Sequence, residues 1–427
     1  MKKRLVILCI ATLILSVGTV SLSAGAQREE EAKPVEIMGP FGGPDEVAFQ
    51  EILEKFRQKT GIEVYYNADP EFNTQIMVRT RAGNPPDIAA VPQPGTVQAL
   101  VDQGALTPLP QSIIDLIDNN YAPVWKDLGS FNNQVYGLYH RINSKSWVWY
   151  PKQEFEARGY TEPDTWDELI ALMDQMVADG ITPWSIGIES GGATGWLATD
   201  WLEDLMLRTA GPHKYDQWIT NELKFDSPEV KHAASYMEEI WMNEDYVLGG
   251  TAYIRGTGIG DAIRPLFRDP PEAMLHRQGN FILNDVPGWV ADDIDNQVGV
   301  FAFPEIDSEW GKPMFGGGDQ FVIFDDRPEV LAVMEFLGSW EGARSWAQTG
   351  TALFPHQDQD LNDYPSEIMQ ALATAVIEAE VFRFDASDMM PAEIGAGAFW
   401  EGMTDFVTGV PMNTVLSEIQ QAWDDLY

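Results

Sequence analysis

Catalysis and phosphate binding need particular residue types at particular spacings, and the candidates in this chain are fragments. Gly256-Thr257-Gly258-Ile259-Gly260 has the glycines of a dinucleotide loop, but at G-x-G-x-G spacing and with no clear strand before it. There is no G-x-x-x-x-G-K-S/T loop for a nucleotide and no G-x-S-x-G nucleophile elbow. Asp358-x-Asp360-x-Asn362 begins like a calcium loop, yet Asp363 stands where glycine is needed and Met369 where the last carboxylate belongs. Asp293-x-Asp295 fails in the same way, ending on Pro304. The histidines at 140, 213, 232, 276 and 356 include no H-x-x-x-H pair. No catalytic set, metal site or cofactor is therefore expected. What remains is a supply of 66 acidic residues. Among them a pair such as Glu189 and Asp319 could flank a glycosidic bond at the roughly 5–10 Å that hydrolysis requires.

The elements that must position any site follow from local pattern. Val35–Met38 reads as an apolar strand and Gly39 to Pro44 as a turn. Asp45 then caps a helix from Glu46 to Lys59, whose Phe49, Ile52, Leu53 and Phe56 share one face. Gly61 stops it, and Ile62–Tyr66 is the next strand. Strand, helix and strand in so short a span make a βαβ unit, which predicts an α/β fold with parallel strands. Asp87–Val91, Tyr136–Tyr139, Trp147–Trp149, Trp184–Ile188, Val298–Phe301 and Phe321–Phe324 read as further strands. Helices are expected at Thr96–Gln103, behind the Thr165/Glu168 capping box, and at Ala198–Thr209, Glu229–Trp241, Glu329–Trp346, Glu367–Glu380 and Val415–Trp423. No repeat, low-complexity tract or Pro/Ser-rich linker divides the chain. Its domains must then exchange strands or be crossed more than once.

With 427 residues the chain is long enough for two or three domains, and 44% hydrophobic with 22% charged excludes disorder. A net charge of −39 repels nucleic acid and anionic lipid, which excludes both as partners. Such acidity also suits saline surroundings, and stability is expected to rise with salt. Lys2, Lys3 and Arg4, the apolar run Leu5–Val17 and Ala24-Gly25-Ala26 have the order of a Sec signal peptide over residues 1–26. The apolar run is shorter than the roughly 20 residues of a membrane span. Cys9, the one cysteine, leaves with it, and Ala26 stands where a lipoprotein cysteine would be. The mature chain from Gln27 is expected to be soluble, free of disulfides, unanchored and periplasmic.

Four segments carry a family resemblance: EIMGPFGGPDEVAFQEILEKFRQKTGIEV (Glu36–Val64), AGNPPDIAAVPQPG (Ala82–Gly95), TEPDTWDELIALMDQMVADGITPWSIG (Thr161–Gly187) and MMPAEIGAGAFWEGMTDFVTG (Met389–Gly409). In this order they resemble the extracellular solute-binding proteins of sugar ABC importers, the maltose-binding-protein-like group. IGIESGGATGWLATDW (Ile186–Trp201), FRDPPEAMLHRQGNF (Phe267–Phe281) and RFDASDMMP (Arg383–Pro391) look most like its α-glucoside-binding branch. The resemblance runs from about residue 35 to 425. It implies a two-lobed periplasmic-binding-protein fold, type II-like, with an interlobe cleft and several chain crossings. Mapped here, lobe 1 is 35–142 plus 299–352 and lobe 2 is 143–298 plus 353–427. It also implies a monomer that closes on a sugar without chemistry and delivers it to a cognate ABC permease in the inner membrane.

A sugar presents hydroxyls around each ring and an apolar face of C–H groups, so its receptor needs aromatic plates with carboxylates, amides and guanidinium groups between them. Polar groups left unmet in a closed cleft cost roughly 1–3 kcal/mol each, which is a source of selectivity. The 15 Trp, 13 Tyr and 20 Phe can furnish both core and cleft. The resemblance puts Trp400 on a stacking tryptophan, Phe41 in the turn after the first strand and Gln93 beyond a strand end. Phe41 has an alternative as a staple on its helix, and Gln93 as a plain turn residue. Glu189, Trp196 and Asp200 occupy a carboxylate–aromatic loop, with a helix cap as the alternative for Asp200. Arg277 stands beside Phe281, and Asp319 follows three glycines that let backbone approach a ligand or simply build a turn. Arg383 and Asp385 complete the candidates, an internal salt bridge being their alternative. A secreted carbohydrate-active hydrolase working through Glu189 and Asp319 is the competing reading, against which stands the absence of any hydrolase signature.

Overall fold

The computed structural model describes residues 33–378 and 381–426, so the signal-peptide expectation for residues 1–26 lies outside the described residues. Strand β1 (Val35–Gly39), helix α1 (Gly43–Thr60) and strand β2 (Val64–Ala68) form the βαβ unit, with β1 and β2 parallel from Val35 opposite Val64 to Gly39 opposite Ala68. Helix α1 buries Phe49, Ile52, Leu53 and Phe56, as their spacing requires. It stops at Gly61, whose φ of 72° suits glycine and lets its N–H bond the Arg57 carbonyl. Its start differs from expectation. Gly42 is the cap and Pro44 sits in the first turn, where a missing N–H costs nothing, so the Asp45 carboxylate is released for other work.

Helix α2 (Phe72–Arg81) leads to β3 (Ile88–Val91), parallel to the other edge of β1, and helix α3 (Pro94–Asp102) leaves its end. The chain then builds strands β4 (Leu138–Ser144) and β5 (Trp147–Pro151), helix α4 (Trp166–Ala178), and helix α5 (Trp196–Ile219), which kinks at Gly211-Pro212. The capping box at Thr165 and Glu168 starts α4, with both reciprocal bonds made. Strands β6 (His276–Arg277), β7 (Val298–Ala302), β8 (Met314–Ile323) and β9 (Phe382–Phe384) follow, then the short helix α6 (Ala386–Met389) and helix α7 (Trp400–Val407).

The first sheet has the order β9-β8-β3-β1-β2, with β4 on the other edge of β8. It is mixed and not all parallel, because β8 runs antiparallel to both β3 and β4. The second sheet is β6-β5-β7, antiparallel throughout. Two large hydrophobic clusters pack against the sheets, and the second sheet contributes to both, Trp149 to one and Val148 to the other. Phe49, Ile88, Phe321, Trp346 and Met369 belong to one; Trp184, Trp201, Trp218, Trp241 and Phe399 belong to the other. The protein is an α/β molecule of two lobes. The chain passes from the first sheet to the second between Ser144 and Trp147, returns between Ala302 and Met314, and leaves again after Phe384.

Two expected boundaries are corrected by these pairings. Residues 298–302 pair with β5 in the second sheet, so the return lies beyond them. Leu353 and residues 382–384, expected in lobe 2, pair with strands of the first sheet. Strand β9 extends the first sheet beside Met314–Gly316, and Leu353, Met369 and Leu372 pack in the first core. Edge pairing of a three-residue strand leaves no local sequence signal that could have placed it.

Three smaller expectations also changed. Trp184–Ile188 is not a continuous strand, because its N–H groups bond three separate segments in turn, through Tyr246, Leu275 and Ile254. Glu329–Trp346 is not one helix: it ends at Leu337, before Gly338 packs where a Cβ would lie 2.4 Å from the Leu116 side chain. The three glycines 316–318 are strand interior. A Cβ on Gly316 would sit 2.1 Å from the Asn143 carbonyl oxygen, so β4 and β8 approach closely there.

Candidate functional site

Strand β4 carries Arg141 and Asn143 at alternate positions, and these two and Lys145, just beyond the strand's end, line one cavity between the lobes. The cavity has a volume of about 330 Å³, within the roughly 300–1,000 Å³ of small-molecule sites. The first lobe contributes Phe41 and Asp45 from the β1–α1 junction, Phe72 and Asn73 from the start of α2, Gln93 beyond β3, and Asp319 from β8. The facing wall is Ser190, Ala193, Trp196 and Phe281. Asp385, Asp388 and Trp400 close the remaining side. At the mouth, a Cβ on Gly192 would lie 2.5 Å from Glu71 Oε2, so the lips of the two lobes touch.

Arg141 is gripped on both sides. Its Nε donates to Asp319 Oδ2 at 2.8 Å and its Nη1 to Asp45, while Asn284 donates to the other Asp45 oxygen at 2.9 Å. The guanidinium lies 4.8 Å from the Phe41 ring centroid and 5.0 Å from that of Trp346, two rings that themselves meet edge-on at 5.3 Å. Burial alone would push Arg141 down, but Asp319 and Asp45 hold its proton more firmly than usual.

Lys145 is the second centre. Its ammonium donates to Asp385 Oδ2 at 2.5 Å and Asp200 Oδ1 at 2.9 Å, and stands 4.8 Å over the Trp196 ring. Burial opposes its charge, yet the two carboxylates raise its pKa overall. Asp385 is the anion of the pair. Burial opposes its charge too, but Lys145 and the neighbouring hydrogen bonds bring its carboxyl down to about 2. Asp200, whose Oδ2 has no partner, is pushed up by burial. Glu203 is pushed up as well, although its oxygens accept the backbone N–H groups of Ala386 and Ser387 at 2.9 and 3.1 Å. Carboxylate oxygens of Asp200, Glu203 and Asp385 come within 4.8 Å of one another, a spacing that could hold a cation, and the Lys145 ammonium supplies the positive charge they share.

Residues 43–262 match the family model described as bacterial extracellular solute-binding protein. The chain belongs to that family. It is 41% identical to the osmoprotective compounds-binding protein GgtB of Synechocystis sp., over 97% of this chain and 98% of that one. To the alpha-glucosides-binding periplasmic protein AglE of Rhizobium meliloti it is 38% identical, over 91% and 87%. Its fold is similar to that of the bacterial solute receptor AcbH in crystal structures, with a TM-score of 0.79, 19% identity, and coverage of 92% of this chain and 99% of that one.

In this solute-binding protein the ten sequence candidates separate. Phe41, Gln93, Trp196, Asp319, Asp385 and Trp400 line the cavity. Phe41 also packs edge-on against Phe49 at 5.4 Å, so the site and staple readings describe one residue. The other four lie off the cavity wall. Glu189 accepts the Gly191 N–H at 3.0 Å within its own loop, and it does not share the cavity wall with Asp319. Asp200 is the fifth residue of α5, not its cap, and acts through Lys145. Arg277 is 2% exposed, its guanidinium on Asp204 Oδ2 at 2.6 Å and 5.1 Å from the Phe303 centroid, a core ion pair. Arg383 pairs with Asp216 through both oxygens at 2.6 and 2.9 Å, outside the cavity.

Sequence reasoning passed over Arg141, Asn143, Lys145, Asp45, Asn73 and Asp388. For the first two a signal existed: charged or amide side chains at every second position of a strand share one face. Asp388 was within the quoted RFDASDMMP segment, but nothing local distinguished it from Asp385.

Proposed function

We propose that this solute-binding protein captures a neutral, α-linked glucoside by closing its lobes, and delivers it as a monomer to the permease of an ABC importer. The observation that carries the reading is the balance of the cavity. Each cation there, Arg141 and Lys145, is already held by two carboxyl groups and so is not free for an anionic ligand, while Asn73 Oδ1, Gln93 Oε1 and Asn143 Oδ1 are buried without partners. A fitting ligand brings hydroxyl donors for these amides and C–H faces for Trp196, Phe281 and Trp400, and no charge. The names of the two relatives, one for α-glucosides and one for osmoprotective compounds, support the class. Export by the signal sequence of residues 1–26 to the periplasm accords with this role.

The test is a thermal-shift screen of the mature protein (Gln27–Tyr427) against trehalose, maltose, sucrose and monosaccharides, with the sugars recovered afterwards. A ligand at about 100 times its Kd adds about 2.7 kcal/mol of stability, which moves the melting temperature clearly. A shift with an intact α-glucoside supports the reading. Cleaved sugar, or no shift with any neutral sugar, overturns it.

A further inference from the structure

Four carboxyls crowd the Lys145 ammonium, and three of them have donors. Asp385 takes Lys145 at 2.5 Å and the Ser387 hydroxyl at 2.9 Å; Asp200 takes Lys145 at 2.9 Å; Glu203 takes two backbone N–H groups. The fourth, Asp388, is 8% exposed and lines the cavity. Its Oδ2 faces the bare backbone of β8, 3.9 Å from where a Cβ of Gly317 would stand. With all four ionised, a single ammonium would leave three buried charges uncompensated.

No other cation is free to serve Asp388 among the described residues. Across β8, Asp319 is committed to Arg141; on α5, Asp204 holds Arg208 and Arg277; on β9, Arg383 is bound to Asp216. Glu393 in the turn after α6 and Asp102 at the far end of α3 are exposed acids, and the Tyr139 hydroxyl near Asp388 is neutral.

The geometry points to Asp388 as a specificity-determining residue that keeps its proton in the closed cleft and donates its O–H to a sugar oxygen. Burial is the main cause of its raised pKa, the Asp385 and Asp200 charges add to it, and Lys145 and the Gln93 amide pull the other way without prevailing. A protonated carboxyl offers the cavity a donor that its unpaired amide oxygens do not, so the two together recognise hydroxyls by both lone pair and proton. The inference rests on the sugar reading for its ligand, but not for its proton.

Infrared difference spectroscopy of the ligand-free mature protein, wild type minus Asp388→Asn at pH 7 (well above the ordinary carboxyl pKa of about 4), reads the proton without any sugar. A protonated-carboxyl band lost in Asp388→Asn and retained in Asp200→Asn supports the inference. No such band, or one lost only in Asp200→Asn, overturns it even if sugar binding stands. With the α-glucoside found in the screen, wild-type affinity weakens by up to about tenfold per pH unit above the Asp388 pKa, and this pH dependence is lost in Asp388→Asn. The same pH dependence in Asp388→Asn overturns the donor role.

Discussion

The ammonium of Lys145 lies 4.8 Å over the ring of Trp196, and the same ammonium ties Asp200 of helix α5 to Asp385 before helix α6. One side chain, at the crossing between the two sheets, thus links two of the cavity's carboxyl groups and one of its aromatic walls. Lys145→Met should destabilise the ligand-free protein by about 3–5 kcal/mol, the usual effect of leaving buried partners unpaired. Urea denaturation measures it. A loss below about 1 kcal/mol, the level of a surface pair, would reject the buried-network account.

Trp400 combines a ring on the cavity with an indole N–H on the Ser387 hydroxyl at 3.4 Å. If stacking is its contribution, Trp400→Ala lowers sugar affinity by about 30-fold, as for an aromatic anchor worth about 2 kcal/mol, while Trp400→Phe retains most of it. Titration calorimetry on both variants gives the order. Equal losses would assign the effect to the N–H instead.

Gly95 lets α3 lie against α6, where a Cβ would sit 2.0 Å from the Met390 carbonyl oxygen. Gly95→Ala must separate the two elements, which position Gln93 and Asp388. The expected result is a stability loss of about 1–3 kcal/mol, typical of overpacking, together with weaker sugar binding. An unchanged melting curve would show that this contact is slack.

Burial holds the imidazole of His140 down to about 4, and it sits neutral among Phe321, Trp346 and Phe354. A depressed histidine pKa contributes stability above its ordinary value of 6.5, and that contribution is lost as the pH falls through the range from 6.5 to about 4. The carboxyls with raised pKa values act in the opposite direction, so the comparison has to be pairwise. His140→Phe cannot be protonated; its melting temperature relative to wild type should rise between pH 7 and pH 5 (a span that crosses the usual histidine pKa of about 6.5). A constant difference would mean that the site accepts the charged ring.

With a net charge of −39 the protein repels itself, and salt weakens that repulsion. The melting temperature is expected to climb as salt is raised from about 0.1 M, where the Debye length is about 10 Å. A steady fall from that point would rule out self-repulsion as the dominant charge effect.

Much of this molecule is local. The face of Phe49, Ile52, Leu53 and Phe56, the stop at Gly61 and the box at Thr165 and Glu168 each depend on residues within a turn or two of chain, so spacing alone was enough to find them. The family motifs likewise marked six residues that do line the cavity. Other choices required the third dimension. Arg277 and Glu189 had suitable chemistry, but the backbone around them directs one into a core ion pair and the other onto its own loop. Residues 382–384 join the first sheet through the edge of β8 beside Met314–Gly316. The centre of the site shows the division most clearly. Alternation along β4 already aligns Arg141 with Asn143, since a strand repeats every two residues, and Lys145 follows directly after it. Which carboxylates neutralise Lys145 is settled by chain crossings that bring in Asp200 from 55 positions away and Asp385 from 240. Capping and periodicity act over a few residues, whereas charge compensation in a buried cleft acts between whichever residues the fold makes neighbours.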